Sequence, residues 1–359
     1  MADRIALTDE TAARESGTPA VWRIDASSAG PATVAEWLAE RRERIVAALH
    51  RDGALLLRGF PLVATPEQYA TAIVAALPHL RDYVGGTSPR TRLHGRIMTA
   101  TETPPDWSIP LHQEMAYTSN GPHRIAFLCL EPASGGGGLS LLGDMGAALG
   151  ALAPDVRAEF EARGLRLRRV LPSRDDPGWK AGVKKSWQEV FDTGDRDEVG
   201  RICADRGWDA DWIDDTTLRL TQETMAATRV HPVTGRTVWH NQAHFFAPAS
   251  MIAWAARDGR AADERALRAA YAGEPHLVDN VVFGDGEPVP AERALAISAT
   301  LAALERGVAL ERGDVLIVDN ILTAHGRSAF RGERRLLVAL ADEPAWRPAT
   351  VPEAASGPA

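Results

Sequence analysis

The segment His112-Gln113-Glu114 brings an imidazole and a carboxylate close together. In an extended chain these two side chains project to the same side, because side chains alternate with a period of two. A second imidazole, His325, stands on a predicted turn after the apolar run Val315–Val318, where it could face a cavity at a strand end. Two histidines and one carboxylate form the facial triad of non-haem Fe(II) sites, which leaves positions open for a chelating keto acid and O₂.

The same H-x-D/E spacing also occurs in His50-Arg51-Asp52. His50 lies near the end of a predicted helix, where residues i and i+2 diverge by about 200°. Asp52 precedes Gly53, a pair that is typical of turns. We therefore prefer His112 as the metal ligand, and the alternative for His112 is a hydrogen-bonded loop histidine.

An arginine pair, Arg334-Arg335, precedes the apolar run Leu336–Leu340. A guanidinium that points into a β-barrel is costly unless it meets an anion. Arg335 could hold a dicarboxylate through a two-pronged ion pair, and the alternative is a surface arginine. Strand alternation places one of the two arginines inside and the other outside.

His240 and His244 are spaced as the two zinc ligands of a helical hydrolase motif. Asn241 stands where that motif has its catalytic Glu, and the aromatic neighbours favour a strand and a loop. The run Gly135–Gly138 is not followed by Gly-Lys-Ser/Thr, so a phosphate-binding loop is not indicated.

Composition restricts the class of protein. The chain has 359 residues, of which 45% are hydrophobic and 25% charged, which is typical of a globular protein and excludes a disordered one. The net charge of −8 argues against nucleic-acid binding. Two cysteines, Cys129 and Cys203, cannot build a disulfide framework, a four-cysteine zinc site or a cysteine-ligated iron–sulfur cluster.

No targeting or membrane segment is predicted. Met1–Glu15 mixes charges of both signs and lacks the apolar core of a signal peptide. Thr237–Ala256 is the longest stretch without Asp, Glu, Lys or Arg, but it carries polar residues that are costly in hydrocarbon. We expect a cytoplasmic protein.

Apolar periodicity predicts helices at about 33–49, 66–77, 144–163, 263–271 and 291–306, and strands at 54–58, 125–130, 237–239, 315–318 and 336–340. The segment 84–110 is expected to be a loop. Because no linker or repeat is visible and strands lie at both ends, we predict one domain over 31–345 with a helical or irregular insertion at about 172–225. A loose arm is expected at 1–30 and a frayed tail at 346–359.

These motifs, taken in order, resemble the taurine and chlorophenoxyacetate dioxygenase superfamily, and within it the syringomycin-type amino-acid β-hydroxylases. The resemblance extends from about residue 50 to 343. The stretches that carry it are Leu57-Arg58-Gly59-Phe60, Pro110-Leu111-His112-Gln113-Glu114-Met115-Ala116-Tyr117-Thr118, the Gly-rich turn, His231-Pro232-Val233-Thr234-Gly235, Gly284-Asp285-Gly286 and Asn320 through His325-Gly326-Arg327 and Phe330 to Arg334-Arg335.

The resemblance implies a mainly β fold with helices: a double-stranded β-helix (jelly roll) core, flanking helices and a large helical or irregular insertion. It makes His112, Glu114 and His325 the ligands of Fe(II). It makes Arg335 the group that binds the distal carboxylate of the co-substrate 2-oxoglutarate, and O₂ the second co-substrate. Ser140 stands where the family usually has a Thr that helps to bind that carboxylate.

The resemblance also places two further residues near the substrate or on the loop that carries His112. Asn241 matches an Asn of a Trp-Phe-Asn segment near the substrate, although His240 replaces the Phe here. Tyr117 lies on the same loop as His112 and Glu114, and it either faces the substrate or packs in the core.

The implied activity is hydroxylation of an unactivated C–H bond of an amino acid or amino-acid-derived metabolite, with release of succinate and CO₂. Glu114 occupies the position where related halogenases have a small residue, so hydroxylation is favoured; desaturation, cyclisation and epimerisation stay open. The substrate is free or tethered to a carrier protein, and the oligomeric state is open. Two alternatives of other classes are a zinc hydrolase using His240 and His244, and a metal-binding jelly roll without catalysis.

Overall fold

The computed structural model describes residues 6–10, 16–25, 30–60, 63–83, 85–88, 90–177, 179 and 184–343. Its α-helices are α1 (Pro31–Glu40), α2 (Arg42–Asp52), α3 (Pro66–Ala76), α4 (Met145–Ala151), α5 (Pro154–Arg163), α6 (Trp187–Phe191), α7 (Arg196–Asp205), α8 (Pro248–Arg257), α9 (Ala261–Gly273) and α10 (Ala291–Ala303). Its strands are β1 (Ala6–Glu10), β2 (Ala20–Asp25), β3 (Ala54–Arg58), β4 (Leu80–Arg81), β5 (Arg92–His94), β6 (Ile97–Thr99), β7 (Ile109–His112), β8 (Arg124–Glu131), β9 (Ser140–Asp144), β10 (Leu165–Leu171), β11 (Asp209–Trp212), β12 (Leu218–Thr221), β13 (Thr228–Val230), β14 (Thr237–Trp239), β15 (Asn280–Phe283), β16 (Arg306–Val308), β17 (Val315–Asp319), β18 (Thr323–Arg327) and β19 (Arg335–Ala341).

Two facing sheets form the core. The major sheet has the order β1-β2-β3-β17-β8-β19-β6-β5, with β4 added beside β19. The minor sheet has the order β16-β9-β18-β7. All pairs in both sheets are antiparallel except β2–β3, and sequence neighbours often lie in different sheets, so the strands wind from one sheet to the other. The predicted double-stranded β-helix is confirmed.

Strand alternation fills the space between the sheets. Leu142 of the minor sheet packs in one buried cluster with Leu316, Leu336 and Val338 of the major sheet. Because side chains alternate along a strand, the neighbours of these residues point away from this interior. This inner cluster supports the polar site described below.

The outer face of each sheet is covered by helices. On the major sheet, Leu55 and Leu57 point outward into a cluster shared with α1, α2 and α3, while Leu56 between them points inward. On the minor sheet, Leu141 points outward toward α4, α5 and α10. Strands buried on both faces read as continuous apolar runs, which is why β3 and β17 were predictable from sequence.

The predicted helix at 33–49 is two helices, α1 and α2, interrupted at Arg41. The predicted helix at 144–163 is likewise α4 and α5, since Pro154 begins a new helix. The segment expected to be a loop at 84–110 contains the short strands β5 and β6 and the start of β7.

The expected loose arm at 1–30 is wrong in part. β1 and β2 belong to the major sheet, and β2 pairs with β3. Ala20, Trp22 and Ile24 alternate with more exposed residues and are buried against the helices, which is the signature of a half-buried strand. The expected tail at 346–359 lies outside the described residues.

The insertion at about 172–225 is more regular than expected. It contributes α6 and α7, and its strands β11 and β12 join β10 and β15 in a separate four-stranded sheet, β11-β12-β10-β15. A cluster of apolar residues around Trp187, Val199 and Leu218 gives it a small core of its own. Among the residues that the structure describes, every helix is too short or too polar to span a lipid bilayer.

Candidate metal centre

His112 and His325 face each other across neighbouring strands. They are direct partners in the β7–β18 pairing, and their ring centroids are 4.4 Å apart. Glu114 follows β7, and its Oε2 lies 3.9 Å from Nε2 of His325. One ligand atom from each of the three residues lies within 4.8 Å of the others, so they could share one ion.

Gly326 allows the two strands to approach this closely. A Cβ at this position would lie 2.5 Å from the carbonyl oxygen of Ile109 and 3.1 Å from that of Pro110. The β7–β18 register shifts between His325 and Arg327, so Gly326 stands at an irregularity beside the histidine. The glycine is therefore required by the contact that brings His112 beside His325.

The Asn320 side chain holds the backbone of Glu114. Its Oδ1 accepts a hydrogen bond of 2.7 Å from the Glu114 N–H, and its Nδ2 donates to the carbonyls of Glu114 at 2.9 Å and Pro122 at 2.7 Å. The preceding residue, Asp319, accepts hydrogen bonds from the backbone of Ile321 and Leu322. The turn between β17 and β18 thus positions both Glu114 and His325.

The electrostatics of the cluster suit a metal. Burial lowers the pKa of His112 and holds that of His325 well below its usual value, so both rings are neutral ligands at pH 7. Burial alone would raise the pKa of Glu114, but Arg90 and His112 outweigh it, and its pKa lies below the ordinary value. Nδ1 of His112 faces the Pro110 carbonyl at 3.0 Å, which leaves Nε2 available. This donor set fits Fe(II).

Arg90 is a neighbour of the cluster that sequence reasoning missed. Its Nη2 lies 2.5 Å from Oε2 of Glu114, and its guanidinium lies over the ring of Tyr83, 4.3 Å from the centroid. It sits in the segment that composition predicted only as a loop, where no local pattern marks a functional arginine.

The structure does not place Arg335 as expected. Its side chain is 61% exposed and pairs with Glu131 on the surface. Leu337 and Ala339 lie on the same face of β19 as Arg335 and pack outward against the helices. Arg335 therefore continues the outer face of β19, and the expectation that it points inward is wrong.

Arg334 occupies the inward position instead. It continues the alternation of Leu336 and Val338, which pack between the sheets. Its Nε donates a hydrogen bond of 3.1 Å to the carbonyl of Gly138, and its guanidinium lies 5.8 Å from the Phe330 ring centroid. Burial lowers its pKa. Ser140 lies two residues beyond Gly138 and is buried. It lies on the same face of β9 as Leu142, which points inward.

The two residues matched to the substrate region are buried. Nδ2 of Asn241 donates to the Ala227 carbonyl at 2.8 Å, and its Oδ1 accepts from the Ala243 N–H at 3.0 Å. These bonds give Asn241 a role in loop structure. Tyr117 packs against Phe246 in the cluster outside the minor sheet, and burial raises its pKa to about 12.

A second group of possible ligands, His50, His231 and Asp319, is held by an arginine. Arg124 lies 2.9 Å from the Asp319 carboxylate and 2.8 Å from Nε2 of His50. Nε2 of His231 lies 3.1 Å from the same carboxylate. This ionic network supports the β17–β18 turn, so His50 of the alternative H-x-D pair has a structural role here.

His240 and His244 lie in a loop and turn after β14, not on one face of a helix. Nε2 of His244 lies 2.8 Å from the Leu111 carbonyl. Among the described residues, neither histidine belongs to a group of three metal-ligating side chains. The zinc-hydrolase alternative has no support in this geometry.

Comparison with known proteins identifies the family of this chain. Residues 14–340 match the family described as taurine catabolism dioxygenase TauD, TfdA family. The chain is 32% identical over 327 residues to the dapdiamide synthesis protein DdaC of Enterobacter agglomerans, covering 91% of this chain and 92% of that protein. It is also 32% identical over 301 residues to a clavaminate synthase-like protein of Arabidopsis thaliana, covering 81% and 82%.

A solved structure of asparagine oxygenase in complex with Fe(II), 2S,3S-3-hydroxyasparagine and succinate has a TM-score of 0.50 at 14% identity, covering 87% of this chain and 83% of that one. At this identity the likeness concerns the fold. The family match and the two relatives extend over most of the sequence, and the family match includes His112, Glu114, His325 and the arginine pair. The chain therefore belongs to the TauD/TfdA family of dioxygenases, enzymes that depend on Fe(II) and 2-oxoglutarate.

Proposed function

We propose that this dioxygenase hydroxylates a C–H bond of an amino acid or amino-acid-derived metabolite in a natural-product pathway, releasing succinate and CO₂. The observation that carries the proposal is the convergence of His112, Glu114 and His325 within 4.8 Å. The similarity to DdaC, a protein of dapdiamide synthesis, supports the substrate class.

The proposed roles follow from position. His112, Glu114 and His325 would hold Fe(II), which supplies the activation of O₂ with 2-oxoglutarate as the co-substrate that is oxidised. Arg334, facing the interior near the Gly138 turn, binds the distal carboxylate of 2-oxoglutarate, and the buried Ser140 hydroxyl supports it. Phe127, whose ring centroid lies 5.5 Å from that of His325, helps to exclude water.

The choice of reaction rests on Glu114. Its carboxylate would take the coordination position that a halide needs, which favours hydroxylation over halogenation. Desaturation, cyclisation and epimerisation would use the same residues, and mass analysis of the product distinguishes them. We place the protein in the cytoplasm, in keeping with Cys129 and Cys203, which are both buried free thiols.

The test is an anaerobic titration of the protein with Fe(II) and 2-oxoglutarate, followed through the visible charge-transfer band of the chelate. We expect the band in the wild type, its loss in His112→Ala, and its retention in His50→Ala, with the melting temperature recorded for each. With O₂ and a suitable amino acid, succinate should form in step with product. A His112→Ala variant that equals the wild type would overturn the proposal.

A further inference from the structure

Three cationic side chains lie on one side of the proposed metal centre: Arg90, Arg169 and Lys185. Tyr83 connects two of them, since the Arg90 guanidinium lies 4.3 Å and the Lys185 ammonium 5.0 Å from its ring centroid. Arg90 in turn contacts Glu114. The group therefore begins at a proposed metal ligand and extends away from it.

Arg169 is the most deeply buried of the three, with 3% of its surface exposed. On β10 it shares the alternation of Leu165 and Leu167, which pack against the outer cluster of the minor sheet. Its charge influences the pKa values of both Tyr117 and Lys185. The pKa of Lys185 is lowered to about 8, chiefly by burial and secondly by the charge of Arg169. Because Tyr117 packs in the same cluster as Leu165 and Leu167, β10 presents Arg169 on the face that meets Tyr117.

Part of the hydrogen-bonding capacity of this cluster is not used. Nε and Nη1 of Arg169 and Nε and Nη1 of Arg90 are buried without a hydrogen-bond partner among the described residues. Unpaired buried guanidinium donors are costly, and a buried cation normally meets an anion.

Among the described residues, the nearby acids already have other partners. Asp279, beside β10, pairs with the Lys184 ammonium and accepts a hydrogen bond from the Val170 N–H. Glu114 pairs with Arg90 and is itself a proposed metal ligand. Glu189 also acts on Lys185, but its carboxylate accepts hydrogen bonds from the N–H and hydroxyl of Ser186 at the start of α6. An excess of positive charge therefore remains beside the site.

We infer that Arg169 and Lys185, with the free donors of Arg90, form a subsite for the carboxylate of the substrate. The inference rests on the proposed function and deepens it: the substrate enters as a free acid. A carrier-bound amino acid has its carboxylate converted to a neutral thioester and would leave the cluster unbalanced. The subsite is separate from Arg334, which faces the interior between the two sheets.

Equilibrium binding tests the inference. The anaerobic Fe(II)–2-oxoglutarate protein is titrated with each proteinogenic L-amino acid and its α-carboxamide, following the shift of the visible band. We expect at least one acid to shift the band and its carboxamide to bind about tenfold more weakly, the scale of one charge-assisted hydrogen bond. Arg169→Met should remove this preference without changing the affinity for 2-oxoglutarate. Lys185→Met should weaken the preference for the acid. Lys184→Met is its matched control and should keep the preference, because the Lys184 ammonium already pairs with Asp279 at 2.8 Å.

The other outcomes separate failure of this inference from failure of the proposed function. If the band forms but no acid shifts it, if acid and carboxamide bind equally, or if the preference survives in Arg169→Met, the inference is overturned while the oxygenase assignment stands. If no band forms, the proposed function itself fails.

Stability gives an independent test that needs no substrate. An unpaired buried cation destabilises the ligand-free protein, so Arg169→Met should raise the melting temperature by about 2 °C. Arg327→Met is the contrast, because its buried guanidinium donates to the carbonyls of Thr103, Pro104 and Trp107, and its loss should lower the melting temperature. A fall with Arg169→Met would make that guanidinium structural and overturn the inference.

Discussion

At the scale of single residues, Arg334 and Arg335 are adjacent in sequence but face opposite sides of the major sheet. Arg335 lies on the outer face of β19, exposed and paired with Glu131. Arg334 lies on the inner face, bonded to the Gly138 carbonyl. The register shift between Arg335 and Leu336 leaves Leu130 of β8 as the extra residue, so the alternation of β19 is unbroken. Alternation separates the two arginines, but it does not say which of them faces inward.

Substitution of the two arginines should therefore have unequal effects. Arg334→Gln removes the cation proposed to bind the distal carboxylate of 2-oxoglutarate. The Kd for 2-oxoglutarate should therefore rise by about 10- to 100-fold, which corresponds to the loss of one charge-assisted hydrogen bond. Arg335→Gln removes an exposed ion pair and should change the Kd by less than about twofold. Anaerobic titration of the visible band measures both constants. A larger effect from Arg335→Gln would restore the sequence-based assignment.

At the scale of elements, the turn between β17 and β18 joins the two parts of the proposed metal centre. Asn320 in this turn bonds both the N–H and the carbonyl of Glu114, while His325 follows on β18. Partners that orient metal ligands commonly contribute 10- to 100-fold to metal affinity. We expect Asn320→Ala to weaken Fe(II) binding by about that factor, measured by anaerobic titration. A variant with a lower melting temperature but unchanged metal affinity would show that Asn320 is merely structural.

The close approach of β7 and β18 gives a second prediction at this scale. In Gly326→Ala the new methyl group would meet the Ile109 carbonyl at 2.5 Å, so β7 must move and His112 with it. Both the melting temperature and the metal affinity should fall. Gly200→Ala is the matched control: Gly200 lies within α7, nothing lies within 4 Å of its added Cβ, and alanine there should stabilise by about 0.5–1 kcal/mol. Wild-type metal affinity in Gly326→Ala would contradict the steric argument.

Which elements were predictable follows from how local their signals are. β3 and β17 are continuous apolar runs because both faces are buried, and the first helix turn of α3 is marked by the Thr65 cap and Pro66. The convergence of His112 with His325 depends on pairing between distant strands, and only motif order suggested it. Arg169 carries no local signal, because its role depends on which face of β10 meets the rest of the molecule.

At the scale of the whole molecule, the interior contains several neutral imidazoles besides those of the metal centre. Burial lowers the pKa of His240 to about 3 and that of His244 to about 4. Both lie in the segment between β14 and α8, which packs against the outer face of the minor sheet. The folded protein therefore holds histidines that it cannot protonate at mildly acidic pH, whereas the unfolded chain can.

This difference makes stability depend on pH in a defined window. Above about pH 6.5 these imidazoles are neutral in both states and contribute no slope; between about pH 6.5 and 4 the unfolded state binds more protons, so stability falls as pH falls, by about 1.4 kcal/mol per pH unit for each histidine. Between pH 6.5 and 5, His244→Gln should reduce the loss of unfolding free energy by about 2 kcal/mol, whatever its effect at pH 7. His276→Gln, at an exposed position, should leave the loss unchanged. Urea unfolding at the two pH values measures both, and an unaltered loss in His244→Gln would show that the acid sensitivity arises elsewhere.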